Sequence, residues 1–197
     1  MVLKAQPTLI NERDPDKGDT TLICSVEKGN LPLVQLMMDF GAKIDDTNNL
    51  GNTALIVACS KRYPCIVTEL INRKASINIA NKKGNRAISF VCQMGPLKTL
   101  EFLIANGAEI EFFNINGDTP FLIACRNGQA ELVKLLIQYY NKTIFFSEQK
   151  LTVLMPYSLQ WNKTGLNVLE LYLKMVSQLM KRLIRIMKYF VNQHRYI

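Results

Sequence analysis

Four segments of this sequence recur at an interval of 33 residues, and this spacing limits the possible folds more than any other feature. The segments GDTTLICSVEKGN, GNTALIVACSKRY, GNRAISFVCQMGP and GDTPFLIACRNGQ begin at Gly18, Gly51, Gly84 and Gly117. Each one continues into a second apolar stretch, for example LVKLLIQYY in the fourth. Because a unit of this size cannot bury its apolar face alone, the sequence predicts an array of stacked units with a shared core.

The repeating unit resembles the ankyrin repeat. In the fourth unit, TPFLIACRNGQAELVKLL follows the family pattern T-P-L-H-x-A-A-x-x-G-H-x-E-V-V-x-L-L, with Leu122 in place of the usual histidine. The clear resemblance covers residues 16–140. It implies an all-α fold, an ankyrin-repeat solenoid of stacked helix pairs with hairpin-like loops.

Residues at the expected helix ends fit this interpretation. Thr53 and Thr119 are suited to cap the first helix of a unit, and Pro120 would then be its first helical residue. Gly51 and its equivalents fit turns that need a positive φ or a close backbone approach. The second unit has Arg62 where the others have a glycine between the two helices, so its helix break should be more strained. The equivalent glycines, predicted at the C′ position, are Gly29, Gly95 and Gly128.

The regularity is lost towards both ends of the chain, which suggests four parts. Residues 1–15 are interpreted as an N-terminal cap or partial repeat, and residues 16–140 as the four repeats. Residues 141–162 form an insertion with many apolar residues. Residues 163–197 are interpreted as a degenerate repeat with C-terminal capping helices that carry a basic face.

The net charge is +8, from 24 basic and 16 acidic residues, and most of the excess lies near the C-terminus. Residues 16–140 have a net charge of only +1, so charge does not favour a nucleic-acid interface there. Residues 171–197 contain six basic and no acidic residues. Their pattern predicts an amphipathic helix that either caps the array or binds an acidic partner, an anionic membrane surface or nucleic acid. Its basic residues include Lys174, Lys181, Arg182, Arg185 and Lys188.

No residue pattern typical of catalysis, cofactor binding or metal binding is present. His194 is the only histidine, which excludes zinc sites with two histidines and the common histidine-based triads. The sequence has no glycine-rich phosphate-binding loop. We therefore predict a protein that is not an enzyme and has no cofactor.

Cysteine spacing favours a structural role. Cys59, Cys92 and Cys125 are one repeat apart. Packed helices lie about 8–10 Å apart, whereas the Cα atoms of a disulfide lie about 4.4–6.8 Å apart, so we interpret these residues as small core side chains. Free thiols, with no signal-peptide pattern and no long apolar window, predict the cytoplasm or another reducing intracellular compartment and no transmembrane segment.

The resemblance implies a protein that binds protein partners as an adaptor, an inhibitor or a structural subunit of a larger assembly. In this family, partners usually contact the concave face formed by the hairpin tips and the first helices. Phe113 is a candidate anchor for a partner; the alternative is that Phe112 and Phe113 cover the insertion. The residues at the matching positions are Asn49, Leu50, Asn52, Ser60, Lys61, Lys82, Lys83, Asn85, Gln93, Met94, Phe113, Ile115, Asn116, Asp118, Arg126 and Asn127.

Overall fold

The computed structural model describes residues 9–143. Their regular structure is helical, with a short 3-10 helix at Leu9–Asn11 and a single antiparallel bridge between Arg13 and Thr20. The α-helices of this part of the chain are α1 (Thr21–Glu27), α2 (Leu31–Asp39), α3 (Ala54–Ser60), α4 (Pro64–Asn72), α5 (Ala87–Met94), α6 (Leu97–Ala105), α7 (Pro120–Arg126) and α8 (Ala130–Thr143).

The helices form four pairs that stack on one another. In each pair the first helix contacts the second, and the first helices form a continuous row in which α1 contacts α3, α3 contacts α5 and α5 contacts α7. The row packs closely because small residues such as Ala58, Cys92 and Ala124 are buried in it. This arrangement confirms the predicted all-α solenoid of stacked helix pairs.

The core repeats with the same 33-residue spacing as the sequence. One position of the first helix is fully buried in every unit and is occupied by Leu22, Leu55, Ile88 and Phe121. One position of the second helix is fully buried in the last three units and is occupied by Leu70, Leu103 and Leu136. The stacked units therefore bury one continuous apolar core, as expected for units that cannot fold alone.

Threonine side chains cap three of the first helices. The hydroxyl oxygens of Thr20, Thr53 and Thr119 each accept a hydrogen bond of 3.2 Å from the backbone N–H three residues later. The caps predicted at Thr53 and Thr119 are confirmed, and α7 begins at the proline after Thr119, as predicted. In the third unit Arg86 replaces the threonine, and the hydroxyl of Ser89 instead accepts a bond of 3.3 Å from the backbone N–H of Arg86.

The predicted role of Gly95 is wrong, whereas those of Gly29 and Gly128 are confirmed. Gly29 and Gly128 have φ values of 68°, and each directly follows the C-cap residue of its helix. Gly95 instead has φ −84° and ψ 162° and is itself the cap residue of α5, which runs to Met94. The cause is Pro96, because a residue that precedes proline is restricted to extended backbone.

Arg62 adopts the strained conformation that its position predicts, with φ 61°. Lys74 has φ 70° after α4, where the first and third units have Gly41 and Gly107 with φ values of 86° and 90°. This second position is not among those predicted from the sequence. The second unit therefore has a non-glycine residue in the left-handed region at the end of each of its helices.

Replacing Arg62 with glycine should stabilise the array. The left-handed conformation costs a residue with a Cβ about 1–2 kcal/mol, and the greater freedom of glycine in the unfolded chain offsets part of this gain. We expect Arg62→Gly to raise the free energy of unfolding by about 1 kcal/mol, measured by chemical denaturation followed by circular dichroism. Arg62→Ala removes the same charge but keeps the Cβ, so an equal gain in that control would show that strain is not the cause.

Candidate functional site

The tips of the hairpin-like loops are joined to one another along the array. The backbone N–H groups of Asn49, Lys82 and Ile115 donate to carbonyl oxygens of the preceding tip over 2.9, 3.0 and 3.1 Å. Gly51 has φ 77°, and a Cβ at this position would lie 2.9 Å from the backbone nitrogen of Lys82. Glycine is therefore needed at this turn both for its conformation and for the close approach of the next tip.

Three asparagines, each one repeat apart, shape the tips from inside. The side-chain oxygen of Asn48 accepts 3.0 Å hydrogen bonds from the backbone N–H groups of Leu50 and Asn52. The side-chain oxygens of Asn81 and Asn114 accept equivalent bonds from the backbone two and four residues later. Each asparagine oxygen therefore accepts hydrogen bonds from backbone N–H groups that have no backbone acceptor in the sharp turn.

The same asparagines link each tip to the one before it. The side-chain amide of Asn81 donates to the Oδ1 atom of Asn52 over 2.8 Å, and the other two make matching bonds of 2.7 and 2.9 Å. We call the set the asparagine ladder. Its donors are Asn48, Asn81 and Asn114, and their respective acceptors are Asp19, Asn52 and Asn85.

Most of the predicted contact residues are exposed on this surface. We use the term tip face for residues 14–19, 47–52, 80–85 and 113–118 together with the exposed C-terminal ends of α1, α3, α5 and α7. The exposed residues among those predicted are Asn49, Leu50, Ser60, Lys61, Lys82, Lys83, Gln93, Met94, Phe113, Ile115, Asn116, Arg126 and Asn127.

The remaining three predicted residues contribute to the frame of the array. Asn52 and Asn85 are half-buried acceptors of the asparagine ladder. Asp118 is only 5% exposed, and its two carboxylate oxygens bind the guanidinium of Arg126 over 2.6 and 2.8 Å. This corrects the expectation that Asp118 is itself presented to a partner, because its carboxylate orients the exposed Arg126 instead.

Large apolar side chains are exposed on the tip face. Leu50, Met94, Phe113 and Ile115 have relative exposures of 62%, 55%, 55% and 71%. Phe112, next to Phe113, is buried, and the guanidinium of Arg86 lies 4.4 Å from the centre of its ring. The two neighbouring phenylalanines therefore differ, since Phe112 packs within the array and Phe113 extends from it.

A shallow pocket of about 230 Å³ lies between the third and fourth units. Asn116 of the fourth tip and Gln93 and Asn127 at the ends of α5 and α7 line it together. Hairpin tips and first helices thus share one continuous surface. By repeat equivalence, Lys61 corresponds to Asn127, and Lys83 corresponds to Asn116.

The cysteines are packed as structural residues. Cys59, Cys92 and Cys125 are buried free thiols, as predicted. Burial raises the pKa of the Cys59 and Cys125 thiols to about 12, so these groups are protonated and unreactive near neutral pH. Within residues 9–143, no group of three or more His, Cys, Asp or Glu side chains is placed to hold a metal ion.

Several predictions fall on residues that are not described. The N-terminal residues 1–8, most of the insertion at 141–162 and the whole segment 163–197 lie outside the described part of the chain. The predicted basic helix lies there too. Among the helices of residues 9–143, none has the length and apolar character needed to cross a lipid bilayer.

Comparison with known families supports the repeat interpretation. The sequence model described as ankyrin repeats matches the chain in three overlapping copies, at residues 3–81, 58–146 and 86–162. These matches cover well over half of the chain and include all four of the repeats found by spacing. A comparison with curated proteins gives no match.

Proposed function

Because this chain belongs to the ankyrin repeat family, a family of protein-interaction modules, we propose that it binds a protein partner through the tip face. This surface corresponds to the concave face of the family's solenoids, which offers an extended contact area. The role we propose is that of an adaptor, an inhibitor or a structural subunit, with no enzymatic activity. The five free cysteines support a location in the cytoplasm or another reducing compartment.

The observation that carries the proposal is the position of the exposed apolar side chains. Five large apolar residues are exposed within the described part of the chain, and four of them lie on the tip face: Leu50, Met94, Phe113 and Ile115. The fifth, Leu36, lies on α2. Solvent-exposed aromatic and large aliphatic side chains on a rigid surface are typical anchors of protein interfaces.

The rigidity of the tips strengthens the proposal. The asparagine ladder and the backbone bonds between neighbouring tips hold the loops in one arrangement before any partner arrives. Less conformational entropy is then lost on binding, which leaves more of the contact energy for affinity. A surface ordered in this way suits recognition of a folded or extended protein segment.

Removing the two most prominent apolar side chains of the fourth tip should weaken partner binding. We expect the double variant Phe113→Ala/Ile115→Ala to lose about 10- to 100-fold in affinity, because buried anchors account for much of the binding energy of an interface. Partners are first identified by cross-linking mass spectrometry with the intact chain, and the affinity of the purified partner is then measured by calorimetry. The melting temperature of the variant should stay near that of the wild type.

Leu36→Ala provides the matched control, since it shortens an exposed apolar side chain outside the tip face. This control should bind as the wild type does. A partner that cross-links to the second helices and is insensitive to the tip variant would contradict the proposal.

A second candidate function rests on the charge of residues 171–197, which contain six basic and no acidic residues. This segment would bind an acidic partner, an anionic membrane surface or nucleic acid, with affinity that falls steeply as salt is raised. The discriminating variant is Lys174→Glu/Lys181→Glu/Arg185→Glu/Lys188→Glu. Loss of partners from this variant, with a retained helical circular dichroism spectrum, would place the site in the segment and not on the tip face.

A further inference from the structure

The charges of the tip face are unevenly distributed between the first unit and the other three. In the first unit, the tip DPDKGD has three aspartates, and Glu27 lies at the end of α1. In the second, third and fourth units, the tips TNNLGN, ANKKGN and FNINGD and the helices α3, α5 and α7 contain one acidic residue in total. That residue is Asp118, which is buried and neutralised by Arg126.

Three lysines on the same stretch have no acidic partner. Lys61, at the end of α3, and Lys82 and Lys83, in the third tip, are exposed and form no ion pair within the described residues. The other acidic residues of these units lie elsewhere, with Glu69 on α4, Glu101 on α6 and Glu131 on α8. Glu109 and Glu111 lie in the loop between α6 and the fourth tip, where Glu109 forms an ion pair with Arg86. The tip face is therefore acidic over the first unit and basic over the second, third and fourth units, and most acidic residues of these three units lie off this face.

From this division we infer that the partner contributes a segment that is both acidic and apolar. Its carboxylates would pair with Lys61, Lys82 and Lys83, and a large apolar side chain would pack on Phe113 and Ile115. This inference rests on the proposed function and specifies the chemistry of the partner. Complementary charges would guide the segment onto the tip face, and the apolar contact would supply most of the affinity.

The composition of the tip face favours a peptide over nucleic acid. Tight non-specific binding of a nucleic acid relies on several phosphate contacts, typically about 6–10 in well-studied cases. Four exposed cations without an ion pair lie on or next to this stretch, namely Lys61, Arg62, Lys82 and Lys83, and the same stretch exposes the large apolar side chains of Leu50, Met94, Phe113 and Ile115. An acidic segment with aromatic or aliphatic residues satisfies both groups of side chains at once.

A peptide-display selection on the full chain tests the inference. The probe is a random dodecapeptide library, and binders are remeasured by fluorescence anisotropy. We expect enriched peptides to combine aspartate or glutamate with at least one aromatic or large aliphatic residue. The variant Lys61→Glu/Lys82→Glu/Lys83→Glu should bind them about 30-fold more weakly, since each reversal replaces an attraction with a repulsion.

Two controls separate a local effect from a change in total charge. The variant Lys43→Glu/Lys74→Glu/Lys98→Glu alters the net charge equally at exposed lysines outside the tip face, and it should lose less than about 3-fold. Peptides remade with lysine in place of each acidic residue should recover binding to the reversed tip-face variant but not to the wild type. Purely structural damage would not produce this recovery.

The outcomes distinguish the inference from the proposed function. Peptides that require Phe113 and Ile115, but show no acidic bias and tolerate the lysine reversal, would overturn the inference and leave the proposed function intact. Failure to enrich any peptide that depends on the tip face would overturn the inference, whereas the proposed function is decided by the affinity of the Phe113→Ala/Ile115→Ala variant for its cross-linked partner. A single-stranded RNA oligonucleotide is measured in parallel. If it binds more tightly than any acidic peptide, and if the lysine reversal abolishes that binding, the inferred partner is a nucleic acid and the inference is wrong.

Discussion

Phe121→Ala is expected to lower the free energy of unfolding by about 3–5 kcal/mol, the range for removal of a large aromatic side chain from a packed core. Phe121 is completely buried in α7. Its ring meets that of Tyr140 edge-on, with 6.1 Å between the ring centres. The hydroxyl of Tyr140 donates a 2.7 Å hydrogen bond to the carbonyl of Ile110, so the Phe121 ring also supports, through Tyr140, the loop that precedes α7. Chemical denaturation followed by circular dichroism measures the effect.

Phe113→Ala is the matched control because it makes the same chemical change on the exposed fourth tip. We expect it to change the free energy of unfolding by less than about 0.5 kcal/mol, as is usual for an exposed side chain without a packing role. Its effect should instead appear in partner affinity. Equal destabilisation by the two substitutions would mean that Phe113 is packed against the array and is not available to a partner.

Asn114→Ala is expected to lower the free energy of unfolding by about 2–4 kcal/mol, because it leaves several hydrogen-bonding groups without partners. The side-chain oxygen of Asn114 accepts bonds of 2.9 Å from the backbone N–H groups of Asn116 and Asp118. Its amide donates over 2.9 Å to the side chain of Asn85. Asn114 is buried, and so is the bond from the N–H of Asp118, so water cannot readily replace this acceptor.

Asn116→Ala supplies the comparison for this second prediction. Asn116 is exposed two residues further along the same tip. We expect a change within about 0.5 kcal/mol in the same denaturation experiment. If Asn114→Ala were as mild as Asn116→Ala, the asparagine ladder would contribute little to stability, and the rigidity assumed for the tip face would lose its support.

The fold was predictable because burial follows the repeat of the sequence. A residue that is apolar every 33 positions occupies the same place in each stacked pair, so the helices, their order and the threonine caps follow from spacing. Two positions, one misassigned and one not identified, depart from this pattern. Gly95 departs from its equivalents because of Pro96. Lys74 takes the left-handed conformation of Gly41 and Gly107 because the array fixes the backbone there, although lysine disfavours it.

The tip face was predictable as a surface but not in the role of every residue. A polar residue in a loop is usually solvated, so polarity alone does not separate Asn48 from Asn49. The structure distinguishes them, since the side-chain oxygen of Asn48 accepts from the backbone of its own turn, whereas the side chain of Asn49 donates to the carbonyl of Asp16 in the preceding tip. Similarly, the burial of Asp118 depends on Arg126, which lies eight residues later at the other end of α7. The 33-residue recurrence of the ladder asparagines was the one signal that could have identified them.

Within each tip, residues whose side chains bond to the preceding tip lie beside residues whose side chains do not. This arrangement affects how such a protein can change during evolution. In the second tip, the side chains of Asn48 and Asn52 form part of the ladder and that of Asn49 donates to the carbonyl of Asp16 in the first tip, while the side chains of Thr47 and Leu50 make no such bond. Mutations at the latter positions can accumulate without a matching change in the neighbouring tips. An array built in this way can acquire a new binding specificity while its architecture persists. The same positions are suitable for randomisation in a designed binding library.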